Sequence, residues 1–134
     1  MKKISYKNYN IRQHKKIYGS TVDFIKFIEK HVDLNKKNII DLACGGGANT
    51  IFLAKKYPRS TFLGIDYDKQ QITTADKFIK KLKNISFKND LWQNINLHKN
   101  FIKKNKGGLI SFQSLSFIDM PISNLLKKLN KRSF

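Results

Sequence analysis

One cysteine, one tryptophan and two prolines occur in 134 residues, and acidic side chains number only 9 against 27 Lys and Arg. A lone thiol, Cys44, cannot close an intramolecular disulfide and brings no Cys/His cluster. Disulfide scaffolds and zinc or iron-sulfur sites are thereby excluded, no metal is expected, and Cys44 reads as a small buried hydrophobe in a reducing compartment. Apolar runs stay far below the roughly 20 residues that span a bilayer, and the opening Met1-Lys-Lys-Ile-Ser-Tyr6 has no secretory apolar stretch, so a cytoplasmic location is expected. Arginine is scarce too, at positions 12, 59 and 132 only, which leaves 24 of the 27 cations as lysine. Proteins that read nucleic-acid sequence concentrate Arg and interleave aromatics on one face, and no such stripe is visible. The net charge of +18 would draw in any polyanion, yet lysine spread evenly among abundant Asn and Ile is also what a coding bias produces. Charge permits a nucleic-acid partner without favouring one.

What is present is a globular composition, 40% hydrophobic and 12% aromatic, sized for one domain with a core. Residues 1–19 read as a polar, aromatic, partly helical arm, and 20–134 as the domain. From Ser20 a helical period puts Phe24, Phe27, Ile28 and Val32 on one face and Lys26, Glu29 and Lys30 on the other, with Ser20 or Thr21 as the cap. Asn38–Leu42 is apolar on both faces, as buried parallel strands are, and the helix that starts near Ala48 must end before Pro58. Thr61–Ile65 is a second strand. A long helix follows, with Ile72, Ala75, Phe78, Ile79 and Leu82 inward and Lys77, Lys80, Lys81 and Lys83 solvated. Ile85–Phe87 is a third strand, residues 92–101 are less regular around Trp92, Ile95, Leu97 and Phe101, and Leu109–Phe112 is a fourth strand. A last helix spans Ile122–Asn130 on Leu125, Leu126 and Leu129. Alternation at this spacing implies an α/β fold with a doubly wound parallel sheet and right-handed crossovers.

The most informative stretch is Asn38-Ile-Ile-Asp-Leu42 opening into Ala43-Cys-Gly-Gly-Gly47, followed nineteen residues later by Asp66 at the end of the second strand. Such a strand, glycine turn, helix, strand, acid unit brings backbone close to a nucleoside-bearing ligand at a helix N-terminus. Gly45 and Gly47 lack side chains where a ligand must approach, and Ala43 is the smallest substitute at the first position of a G-x-G-x-G pattern. No G-x-x-x-x-G-K-[ST] occurs, which argues against nucleoside triphosphate hydrolysis. Asp41, Asp66 and Asp90 each close a successive strand, so three of nine acids line the sheet edge where open α/β folds bind ligands. Asp66 can accept from both ribose hydroxyls, Asp90 from an exocyclic adenine amine, and Asp41 can help hold an ammonium group. Tyr67 and Leu91 offer apolar surface to a purine.

The runs Ile39-Ile-Asp-Leu-Ala-Cys-Gly-Gly-Gly47, Phe62-Leu-Gly-Ile-Asp66, Asn89-Asp90 and Leu109-Ile-Ser-Phe-Gln-Ser-Leu115 together resemble the class I S-adenosylmethionine-dependent methyltransferases across about residues 20–130. A dinucleotide-binding domain is the rival, since Ala43-x-Gly45-x-x-Ala48 loosely fits its fingerprint, but Asp41 before the turn and Asp90 after strand three favour the methyltransferase. The resemblance implies a Rossmann-like sheet and S-adenosyl-L-methionine as cofactor. Ala43, Gly45 and Gly47 would then border the methionine part, Asp66 the ribose, Asp90 and Leu91 the adenine, and Gln113 and Ser114 the transfer site. Tyr9, Arg12 and His14 lie in the segment that folds over the cofactor in similar enzymes, as a lid, with Arg12 placed to meet its carboxylate. His14, His31 and His98 are the candidates for a base, and no catalytic residue is singled out. Methylases of exocyclic base amines carry Asn/Asp-Pro-Pro-Tyr/Phe after strand four, where this chain has Gln113-Ser-Leu-Ser, so DNA-adenine methylation loses ground. Lys106-Gly-Gly108 suggests a shortened connection into strand four. The family's strand order 3-2-1-4-5-7-6 is truncated here after about four strands, leaving strand four as an edge that a dimer or partner chain would cover. The expected activity is methyl transfer to oxygen or nitrogen of a small-molecule or glycan-precursor acceptor. The alternatives are an RNA methyltransferase, supported by charge alone, and a noncatalytic cofactor-binding or partner-binding remnant.

Overall fold

The computed structural model describes residues 6–17, 19–104 and 107–112. The expected helix over 122–130 and the site residues Gln113 and Ser114 lie outside the described residues. In chain order the elements are α1 (Tyr6–Lys15), α2 (Gly19–His31), β1 (Asn38–Leu42), α3 (Ala48–Lys56), β2 (Thr61–Asp66), α4 (Lys69–Phe78), β3 (Ile85–Asn89), a 3₁₀ helix (Trp92–His98), α5 (Lys99–Lys103) and β4 (Gly108–Ile110). The sheet has order β3-β2-β1-β4, and every pairing is parallel. Among the described residues β4 pairs with β1 alone.

Side chains alternate across the sheet, and both faces are covered. Ile39, Phe62 and Ile85 pack with Ile25, Ile51, Leu53 and Ala54 under α2 and α3, whereas Ile40, Leu42, Leu63 and Ile65 pack with Ile95 and Ile102 under the 3₁₀ helix and α5. All five residues of β1 are buried, so its sequence has no polar alternation to show. Short polar devices end the elements. The side chain of Asp68 caps α4 by accepting from the backbone N–H groups of Gln70 and Gln71, at 2.8 and 3.4 Å. Asn84 donates to the carbonyls of Ala54, Tyr57 and Ser60, tying the end of α3 to the start of β3.

The fourth strand is Gly108–Ile110 where Leu109–Phe112 was expected, the third runs on to Asn89, and residues 92–103 are helical. Expectations for two helices change as well. The helix α2 begins at Gly19, so Ser20 and Thr21 stand inside its first turn and cannot cap it. Its buried residues are Thr21 and Ile25, while Phe24, Phe27 and Val32 are exposed along a groove shared with β4 that none of the described residues fills. The helix α4 stops at Phe78, with Ile79 as its C-cap and Lys80 left-handed at φ 54°, although Ile79 and Leu82 still pack on the core from the following turn.

Candidate cofactor site

The turn after β1 alternates hand: Ala43, Gly45 and Gly47 have φ of 58°, 55° and 77°. Only glycine enters this region without steric cost, so Ala43 carries strain at the place where a glycine would be relaxed. An L residue there costs about 1–2 kcal/mol against the roughly 0.5–1 kcal/mol of chain entropy that glycine adds. Ala43→Gly is therefore expected to raise the unfolding free energy by about 0.5–1 kcal/mol in urea denaturation; a loss of stability would mean that the Ala43 methyl packs.

The three turn residues have different surroundings. A Cβ placed on Gly45 would meet nothing within 4 Å, whereas one on Gly46 would lie 2.6 Å from Asn10 Oδ1 and one on Gly47 would lie 2.4 Å from Phe87 Cζ. Gly45 and Gly46 line a cavity of about 330 Å³, together with Asp41, Ala43 and Cys44 from the same turn. Its far wall is Tyr9, Asn10 and Gln13 from α1, and Thr21 of α2, Ala48 and Asn49 of α3, Gln71 of α4 and Phe112 beyond β4 also line it. Gly47, which the resemblance put beside the methionine, is buried, does not line this cavity and is the N-cap of α3. Cys44 lines the cavity as a protonated thiol, its pKa pushed well above the usual value by burial, with Asp41 and Asp66 adding.

Asp41 is 1% exposed. Its Oδ2 accepts from Thr50 Oγ1 at 2.6 Å, and its Oδ1 finds no partner among the described residues. Burial pushes its carboxyl up to about 7, against the lowering by the Thr50 hydrogen bond and with a smaller push from Asp66. A half-satisfied buried carboxyl in a cavity wall is costly unless something else engages it.

Asp66 faces the turn. Its Oδ2 accepts from Gly45 N at 2.8 Å and its Oδ1 from Asp68 N at 2.9 Å, so each oxygen keeps one lone pair. Asp90 is more fully engaged: Oδ1 accepts from Leu91 N and Asn94 Nδ2, both at 2.8 Å, and Oδ2 pairs with His98 Nε2 at 2.9 Å. Those partners, the Asn94 hydrogen bond first, hold its carboxyl below the usual range. Tyr67 and Leu91 are 70% and 51% exposed and stand at the ends of β2 and β3 beside these acids. The structure thus brings Asp41, Ala43 and Gly45 around one cavity, with Asp66 bonded to its floor, and leaves Asp90, Tyr67 and Leu91 outside that lining. Arg12 is exposed and does not line it either.

Reasoning from sequence passed over Asn10, Thr21, Thr50, Gln71 and Phe112. Asn10 is 4% exposed and donates through Nδ2 to Gln71 Oε1 at 2.8 Å; no short-range signal announces a contact spanning 61 positions. Asp68 did carry one, since an Asp ahead of Lys-Gln-Gln after a strand is an N-cap pattern.

A family model described as a methyltransferase domain matches residues 33–131. An uncharacterised protein of Rickettsia prowazekii (strain Madrid E) is 40% identical over 57 residues, covering 41% of this chain and 23% of that protein, so the match spans under a quarter of the relative. Two solved structures share the fold over most of this chain. A candidate S-adenosyl-L-methionine-dependent methyltransferase of Methanococcus maripaludis matches at TM-score 0.69 and 20% identity, over 96% of this chain and 59% of its own. A SAM-dependent methyltransferase of Aquifex aeolicus matches at TM-score 0.68 and 17% identity, over 90% and 64%.

Proposed function

The chain belongs to the methyltransferase domain family, and from that premise we propose that it binds S-adenosyl-L-methionine in the Asp41–Gly46 cavity and passes a methyl group to oxygen or nitrogen of a small-molecule or glycan-precursor acceptor. The observation that carries the reading is the buried Oδ1 of Asp41, without a partner among the described residues, in the wall of a cavity whose glycine floor is open at Gly45. A carboxylate oxygen without a donor is suited to a ligand ammonium, and a Cβ-free turn to close approach by ligand atoms. The spare lone pairs of Asp66 suit vicinal ribose hydroxyls, while its bond to Gly45 N keeps the turn in its alternating form. Tyr67 and Leu91 present exposed apolar surface for a purine beside Asp90, whose own carboxylate holds the start of the 3₁₀ helix. Tyr9 and Phe112 narrow the cavity and exclude water.

The cofactor supplies a sulfonium-activated methyl group, so what remains for the chain is alignment and dryness. A hydroxyl or amine acceptor also gives up a proton as the new bond forms, and among the described residues no histidine lines the cavity to take it. His98 is engaged by Asp90, His14 by the Gly46 carbonyl, and His31 packs against Phe27 away from the cavity.

Calorimetric titration with S-adenosyl-L-methionine, S-adenosylhomocysteine and NAD tests the reading. Saturable binding of the first two, weakened by about 1–3 kcal/mol in Asp66→Ala, is expected. Binding of NAD and neither sulfur ligand would overturn it. Methyl transfer to RNA with steep salt dependence, and none to sugar or metabolite acceptors, would overturn the acceptor class.

A further inference from the structure

The helix α1 is docked on α4 and on the glycine turn by two side chains one helical turn apart. Asn10 reaches Gln71 of α4, and His14 Nε2 meets the Gly46 carbonyl at 2.7 Å. A carbonyl oxygen only accepts, so Nε2 carries the proton. The same imidazole lies flat on Phe78 at the end of α4, with centroids 3.7 Å apart and planes 7° from parallel. One side chain therefore joins the middle peptide of the turn, α4 and the helix that forms the far wall of the 330 Å³ cavity.

We propose that His14 is a positioning residue for the cofactor pocket, one that joins α1 to the Gly46 peptide and to Phe78 and holds the helix less firmly when its ring is protonated. The inference rests on the reading of that cavity as the cofactor site. The groups around the ring support the direction. A second cavity of about 220 Å³ borders His14, and the charged residues lining it are Lys15 of α1, Lys55 of α3 and Lys80 just after α4, with no carboxylate. Burial lowers the His14 pKa from 6.5, the bond to Gly46 opposes this, and Lys55 and Lys80 lower it further. Docked α1 thus binds the proton more weakly than free α1. Docking is at full strength above about 6.5 and weakens as pH falls through the lower docked value.

The test compares the wild type, His14→Gln and His14→Leu by hydrogen exchange of residues 6–15 without ligand and by affinity for S-adenosylhomocysteine, at about pH 7.5 and about pH 5.5. Glutamine keeps a donor for Gly46 and does not titrate. In the wild type, protection of α1, corrected for intrinsic exchange, is expected to fall at the lower pH, by at most about 10-fold for a ring whose free value is about 6.5. His14→Gln should hold its protection across that range, and His14→Leu should be open at both. Affinity should follow, the residual pH dependence of His14→Gln reporting other groups in the cavity, Asp41 above all. Identical profiles for the wild type and His14→Gln, or a His14→Leu variant with α1 as protected as the wild type, would overturn the proposal. Loss of α1 protection at low pH with no ligand affinity at any pH would sink the cofactor reading and leave the role of His14 standing.

Discussion

Gly47→Ala is expected to destabilise the chain by about 2–5 kcal/mol, the largest loss of any single methyl added to the turn. Two costs add. At φ 77° an L side chain costs about 1–2 kcal/mol, and its Cβ would lie 2.4 Å from Phe87 Cζ and 2.9 Å from the Ala75 methyl, an overlap that cores relieve at about 1–3 kcal/mol. Phe87 has little room to yield. It pairs with Gly64 in the sheet, and a Cβ on Gly64 would lie 2.4 Å from Phe87 Cδ1, so the ring occupies the space that both glycines leave. Gly45→Ala is the internal control, since its φ is also positive and nothing lies within 4 Å of the added methyl; it should show the backbone cost alone. Urea denaturation of Gly47→Ala, Phe87→Leu and the double variant separates the two costs, with a coupling of about 1–3 kcal/mol expected in the cycle. A Gly47→Ala variant within about 1 kcal/mol of the wild type would show that the ring swings aside and that packing does not fix this glycine.

The contrast between Gly45 and Gly47 shows what can be read before coordinates exist. Spacing locates the turn because strand, glycines, helix and acid are local and ordered, and β1 and α3 fall where the apolar run and Pro58 put them. Spacing does not say which glycine serves a ligand and which serves packing, since that depends on Phe87, forty residues away in the chain. The carboxylates divide in the same manner. Asp41, Asp66 and Asp90 all stand at or next to the C-terminal ends of strands, as their places in the sequence suggest, yet their partners come from Thr50, Gly45 and His98, and only those contacts decide which oxygen stays free. The helix α2 is the opposite case, in which a clear periodicity misleads. Phe24, Phe27 and Val32 form a face by pattern, but burial needs a neighbour, and among the described residues Phe24 meets Phe112 edge-on while Phe27 meets His31. Periodicity reports which residues share a face, and tertiary packing decides whether anything covers it.

That division makes Asp41 the sharpest place to separate fold from function, because the change that weakens binding should strengthen the apo chain. With its pKa raised from 3.8 to about 7, Asp41 contributes stability that is complete below the lower value and is lost as pH rises through the upper one. Asp41→Asn keeps an acceptor for the Thr50 hydroxyl and removes the charge. Its stability relative to the wild type should therefore climb between about pH 4 and about pH 7 and level off above, with a gain of a few kcal/mol in order of magnitude at the plateau. Ligand binding should move the other way. An ammonium beside Oδ1 favours the ionised carboxyl, so the wild type should release a proton on binding S-adenosylhomocysteine below about pH 7, seen as buffer-dependent heats, and Asp41→Asn should not. Affinity for S-adenosylhomocysteine should drop by about 1.5–3 kcal/mol, some 10- to 150-fold, because a hydrogen bond between charged groups is lost. Methylthioadenosine lacks the amino-acid end, so its affinity should change little. Equal losses for both ligands would mean that Asp41 shapes the turn as a whole and does not receive the ammonium, whereas a loss confined to S-adenosylhomocysteine would place that ammonium against Oδ1.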